Sequence, residues 1–143
     1  MKVYLAARFS RRAEMRRHAE GLIGLGHEVT AQWVVGRPEA SHHPDRVSGH
    51  TEAYEEIVSV EDLKDVADAD CIICFSEQPR STNTRGGRHV EFGLAVAGNK
   101  RIILVGPREN VFHFLPQVEH FADWAGLREV LELERTASGV TGP

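Results

Sequence analysis

Glu91 is the residue whose surroundings in the sequence best suit a nucleophile. It lies in Arg85-Gly86-Gly87-Arg88-His89-Val90-Glu91-Phe92-Gly93, where two glycines let a backbone approach a ligand and a helical pattern begins. A carboxylate in the first turns of a helix and beside arginines is favoured in its charged form. Glu91 is therefore expected to stay ionised, as a nucleophile requires and a general acid does not. The spacing fits equally an ordinary surface ion pair between Arg88 and Glu91, three residues apart on one helix and of little energetic weight.

Two further clusters accompany it. Arg8-Phe9-Ser10-Arg11 places cations, a hydroxyl, an aromatic face and a helix start together, which suits an anion beside a planar ring; Phe9 as a loop anchor with solvated arginines fits as well. Asp62 falls late in a helical segment that feeds a strand, so it is expected to point to the same edge and to contact sugar or base, or to move a proton. Asp62, Asp65, Asp68 and Asp70 also fit a solvated, helix-terminating acidic patch, and no oxygen-rich loop with metal spacing accompanies them.

Other candidates carry less. His42, His43 and His50 with Asp45 match no standard zinc spacing, so no metal is expected. Cys71 and Cys74 form C-x-x-C inside an apolar strand, where they point to opposite faces; a redox pair sits at a helix start, so core packing is the better reading. Neither a Walker loop nor a G-x-G-x-x-G fingerprint occurs.

The elements that must position these residues follow from periodicity. Strands are expected at 2–7, 27–35, 71–75 and 100–105, with a last edge strand at 118–121. Val29, Ala31 and Trp33 share one face of the second. Helices are expected over 11–24, with Ser10 as N-cap and Met15, Ala19, Leu22 and Ile23 inward; over 51–67, with Ile57, Val60, Leu63 and Ala67 inward; over 88–97; in a short piece at 111–115; and from an Asp123 cap to about Glu134. Strands alternating with helices imply an α/β fold, an open parallel five-stranded sheet of flavodoxin-like or Rossmann-like type with helices on both faces. Ligands in such sheets sit at the carboxyl ends of the strands. The 36–49 segment is long enough for a binding loop.

The 143 residues suit one domain, read as 1–135 with an unstructured tail over 136–143. With 17 basic and 21 acidic side chains the net charge is −4, so small anions are favoured over a nucleic acid polymer. Apolar runs are far shorter than the ~20 residues of a membrane span, and nothing at the start reads as a signal peptide. With only two cysteines, a reducing cytoplasm is expected.

Tyr4 near the end of strand one, Asp62-Leu63 before strand three, and Gly87-x-x-x-Glu91-x-Gly93-x-Ala95 opening a helix occur in that order and spacing. In these motifs, over roughly residues 2–115, the chain resembles the nucleoside 2-deoxyribosyltransferase superfamily. That superfamily includes transferases that swap bases on deoxyribose and hydrolases that cut the N-glycosidic bond of nucleoside 5′-monophosphates.

The resemblance implies Glu91 as nucleophile, Tyr4 as the hydroxyl that orients it, and Asp62 as the residue handling the leaving base or sugar. Phe9 falls where an aromatic residue covers the base, and Arg8 to Arg11 on the 5′-end or phosphate loop. Ala7, Gly87 and Arg88 are implied as further substrate-binding residues, and Asn110 resembles a residue lent by the neighbouring subunit of a homodimer. Nucleoside-specific transferases carry an acidic residue six positions before the nucleophile; this chain has Arg85, which suits a phosphate. The reaction implied is cleavage of a (deoxy)nucleoside 5′-monophosphate through a glycosyl-Glu91 intermediate, with no cofactor, Arg8, Ser10, Arg11 and Arg85 holding phosphate. Base exchange on an unphosphorylated nucleoside, an NAD-type glycohydrolase and a non-catalytic nucleotide sensor are the alternatives.

Overall fold

A computed structural model describes residues 1–36, 52–79 and 86–139. Five strands, β1 (Lys2–Ala6), β2 (Glu28–Val29), β3 (Cys71–Phe75), β4 (Arg101–Val105) and β5 (Val118–Phe121), form one parallel sheet in the order β2-β1-β3-β4-β5. The apolar runs Val3 to Ala6, Cys71 to Phe75 and Ile102 to Val105 are buried, as central strands covered on both faces must be. In register, Tyr4 pairs with Ile72 and Ile72 with Ile102, while Ala6 pairs with Cys74 and Cys74 with Leu104. Parallel partners share a face, so these residues form one side of the sheet.

That side carries α3 (Glu52–Asp68) and α4 (Gly87–Ala97). The other carries α1 (Arg12–Gly24) and α5 (Trp124–Ala137), where the His18 ring stacks on Phe75 at 5.0 Å and on Trp124 at 4.3 Å. Cys71 and Cys74 are free, buried and on opposite faces, and burial pushes the Cys71 thiol up to about 12. The core-packing reading of C-x-x-C therefore holds. No described helix is long and apolar enough to cross a membrane.

Several expectations change. The second strand stops at Val29 and the chain turns into a one-turn helix, α2 (Gln32–Val35), because Gln32 N–H donates to the Asp65 carboxylate at 2.9 Å and the Trp33 indole to the Leu5 carbonyl at 2.9 Å. Ser10 does not cap α1: it lies inside a 3-10 turn (Phe9–Arg11), and α1 starts at Arg12 without a side-chain cap. In α3 the expected inward face is the outer one. Ile57 and Val60 are each 62% exposed and Leu63 53%, while Asp65 and Val66 are buried. Ile23 of α1 is exposed too, although Met15, Ala19 and Leu22 are buried as expected.

At the other end of the chain, Asp123 caps α5 by accepting from Gly126 N–H at 2.9 Å. The helix then continues to Ala137 with Ser138 and Gly139 behind it, past the start of the expected unstructured tail. Arg101 at the foot of β4 pairs both with Glu119 on β5 and with Glu134 on α5, each at 2.7 Å. The histidines at 42, 43 and 50 lie outside the described residues, as does Arg85.

Candidate active site

Tyr4 points from the middle of β1 to the underside of α4, and its hydroxyl donates a hydrogen bond to Glu91 Oε2. Gly86 sets up that encounter. Its φ of +86° is a left-handed conformation that favours glycine, and it turns the chain so that α4 starts at Gly87 with Glu91 one turn in. Its N-cap, Gly86, has no side chain to offer the first N–H groups of α4, and among the described residues none caps them.

Burial pushes the Glu91 carboxyl up to about 8; the Tyr4 hydrogen bond opposes this, and the charges of Asp62 and Asp65 add to it. Asp62, on α3, is pushed up to about 7 by burial and then by Asp65 and Glu61. Tyr4 is raised well above the usual phenol range by burial, then by Glu91 and Asp62. The expectation that Glu91 stays ionised is thus corrected. The helix start and the arginines are outweighed because Arg88 turns away from Glu91 and the carboxyl is enclosed between sheet and α3.

Arg88 does not make the i,i+3 pair with Glu91. Both its Nη atoms go to Glu109, in the loop after β4, and the two side chains are only 8% and 10% exposed. Glu109 also accepts Glu77 N–H at 3.0 Å, and its own N–H donates to His113 Nδ1 at 2.9 Å. Arg11 is equally committed: it holds Glu14 through Nε and Nη2 at 2.8 Å, and Glu77 through Nη1 at 2.8 Å. Arg8 reaches Glu77 only at 3.8 Å, and its Nε is buried without a hydrogen-bond partner.

Phe9 packs on Trp33 with ring centroids 6.1 Å apart, and Ala7 is half-buried against the core. Ser10 is exposed. Asn110 caps a second 3-10 turn (Val111–Phe114) by accepting from Phe112 N–H at 2.9 Å. Tyr4, Asp62 and Glu91 are therefore drawn together, while Arg11 and Arg88 are drawn into carboxylate clamps. The sequence reading missed Asp65, Glu77 and Glu109. The last two lie in the loops after β3 and β4, and a carboxylate beside an arginine in the loop after β4, Arg108-Glu109, was the available signal for one of them.

No protein-family model matches the chain, and no curated protein does. Among solved structures, a CMP N-glycosidase from Clostridium botulinum is similar with a TM-score of 0.58 at 20% identity, over 93% of this chain and 99% of that one. A 2-deoxyribosyltransferase from Bacillus psychrosaccharolyticus is similar with a TM-score of 0.67 at 19% identity, over 92% and 96%. The expected flavodoxin-like parallel sheet is thus the fold that these two structures share with this chain.

Proposed function

We propose that the protein is an N-glycosidase that cleaves the base–sugar bond of a (deoxy)nucleoside 5′-monophosphate with Glu91 as nucleophile. The observation that carries this is the Tyr4 hydroxyl on the Glu91 carboxylate, with Asp62 close enough to both to shift them. Burial lifts Glu91 to about 8 and Asp62 to about 7, so near neutral pH Glu91 holds a proton that Asp62 is able to take up. Moving that proton from Glu91 to Asp62 creates an ionised nucleophile and a protonated acid together.

Glu91 Oε then attacks the anomeric carbon, the C–N bond breaks, and the base leaves with the proton of Asp62. The positive charge that develops on the sugar ring is balanced by the carboxylate. Asp62, now a base, takes a proton from water, whose oxygen displaces Glu91 and restores it. Tyr4 holds the carboxylate in the attacking orientation throughout.

For the 5′-phosphate we assign Arg8, whose Nε lacks a hydrogen-bond partner, the start of α4 at Gly86 and Gly87, and Arg85. Arg11 and Arg88 hold loops instead. A second reading, base exchange on an unphosphorylated nucleoside, is favoured by the Glu77 and Glu14 carboxylates that already balance Arg8 and Arg11.

We also propose a homodimer. Ile57, Val60 and Leu63 of α3 and Val90 and Leu94 of α4 are exposed, as are Val111, Phe112 and Phe114 beside Asn110. Two apolar stripes on adjacent helices fit a second copy of the chain, with Asn110 carried across.

The test is chromatography of free base released from a panel of ribo- and deoxyribonucleotides and their nucleosides, with and without an acceptor base. Release from monophosphates that disappears in Glu91→Ala is the expected result. Exchange only in the presence of acceptor makes the enzyme a transferase, and nucleotide binding without turnover makes it a sensor.

A further inference from the structure

Asp65 is the buried acid of α3, next to the half-buried Asp62. One turn beyond Asp62 on α3, it binds twice to the segment that leaves β2. Its Oδ2 accepts Gln32 N–H at 2.9 Å, and its carbonyl accepts the Thr30 hydroxyl at 2.8 Å. Thr30 N–H donates in turn to Val3 of β1 at 2.9 Å.

The segment so fixed is α2, a single turn too short to be stable alone. Its far end is held by α1: Arg12 Nε donates to the Trp33 carbonyl at 2.6 Å and Arg16 Nε to that of Val34 at 3.0 Å. Between the two clamps, Trp33 donates its indole N–H to Leu5 and packs on Phe9. The aromatic pair at the exit of β1 thus stands on a support whose α3 end is Asp65.

We propose that Asp65 is a positioning residue for the chemistry at Glu91, its carboxylate holding α2 and the aromatic wall in place one turn from Asp62 on the same helix. The proposal rests on the glycosidase reading and adds to it a residue that touches no substrate. The titratable groups around the pair are Tyr4 on β1, Cys74 on β3, and Glu61, Asp62 and Asp65 on α3; α2, with the sequence Gln-Trp-Val-Val, brings none. Removing the Asp65 charge favours ionisation of both carboxyls, so the whole pH profile moves to lower pH.

Two variants separate the roles. Asp65→Asn keeps an oxygen for Gln32 N–H and loses the charge; Asp65→Ala loses both. In Asp65→Asn we expect KM within about 2-fold of wild type, a pH profile of base release displaced to lower pH, and a matching displacement of the Asp62 and Glu91 carboxyl titrations followed by carbon NMR without substrate. In Asp65→Ala we expect the same displacement, a KM raised about 3-fold or more, and hydrogen exchange at the Trp33 indole N–H accelerated about 10-fold or more. Unchanged carboxyl titrations in Asp65→Asn, or an indole as protected in Asp65→Ala as in wild type, overturn the proposal. A wild-type protein that releases no base overturns the glycosidase reading instead, and the two NMR readouts still decide the role of Asp65.

Discussion

The Tyr4 hydroxyl and the Glu91 carboxylate meet across 87 residues of sequence, one from the centre of the sheet and one from the first turns of a helix laid over it. This bond opposes the burial and the acidic neighbours that keep Glu91 protonated. In Tyr4→Phe the Glu91 carboxyl is expected to rise further above about 8. A hydrogen bond to a charged group is worth about 1.5–3 kcal/mol, so kcat/KM for base release should fall about 10- to 100-fold. The limb of the pH profile that reports Glu91 ionisation should move to higher pH.

The same carboxyl makes stability depend on pH. Its ordinary value is 4.5 and its folded value about 8, so the folded protein holds this proton more tightly than the unfolded chain. The favourable contribution is complete below about 4.5 and is lost as pH rises through about 8. Glu91→Gln keeps an acceptor for Tyr4 and removes the titration. Thermal melts should show variant and wild type converging below pH 5, with the variant more stable by on the order of a few kcal/mol above pH 8.

The positions of β1, β3, β4 and β5 and the cap of α5 were legible because apolar runs and an Asp before an amphipathic helix report local physics. The errors at β2, α3 and Glu91 share another cause. Val29, Ala31 and Trp33 alternate like a strand and are all buried, yet Asp65 seizes Gln32 N–H and converts the last of them into a helical turn, a contact 33 residues away that no periodicity encodes. In α3 the apolar spacing of Ile57, Val60 and Leu63 marks a real stripe, but periodicity does not say whether a stripe meets the core or lies outside. For Glu91, sequence neighbours argued for ionisation, and enclosure between Tyr4 and α3 decided otherwise.

The buried Arg88 and Glu109 pair ties the first turn of α4 to the loop after β4. Truncating one partner leaves the other charge enclosed and unpaired, at a cost of about 3–5 kcal/mol. Glu109→Ala should lower the urea midpoint accordingly. In a double-mutant cycle, Arg88→Met with Glu109→Ala should cost clearly less than the two single losses added.

Placing a charge on the outer face of α3 tests the proposed homodimer. Val60→Glu sets like charges opposite one another across a two-fold axis, so sedimentation should shift from dimer to monomer while circular dichroism is unchanged. Base release should fall with dimer content if Asn110 completes the partner's site.

The clamp of Arg101 on Glu119 and Glu134 has a practical corollary. It brings the last turns of α5 beside the foot of β4, and Lys2 N–H is bonded to Asp70 at the foot of β3. Both Met1 and the end of α5 therefore stand at the edge of the sheet opposite Tyr4 and Glu91. Immobilised on a resin or sensor chip through Met1 or the last turns of α5, the molecule would present the Tyr4 and Glu91 side of the sheet away from the support.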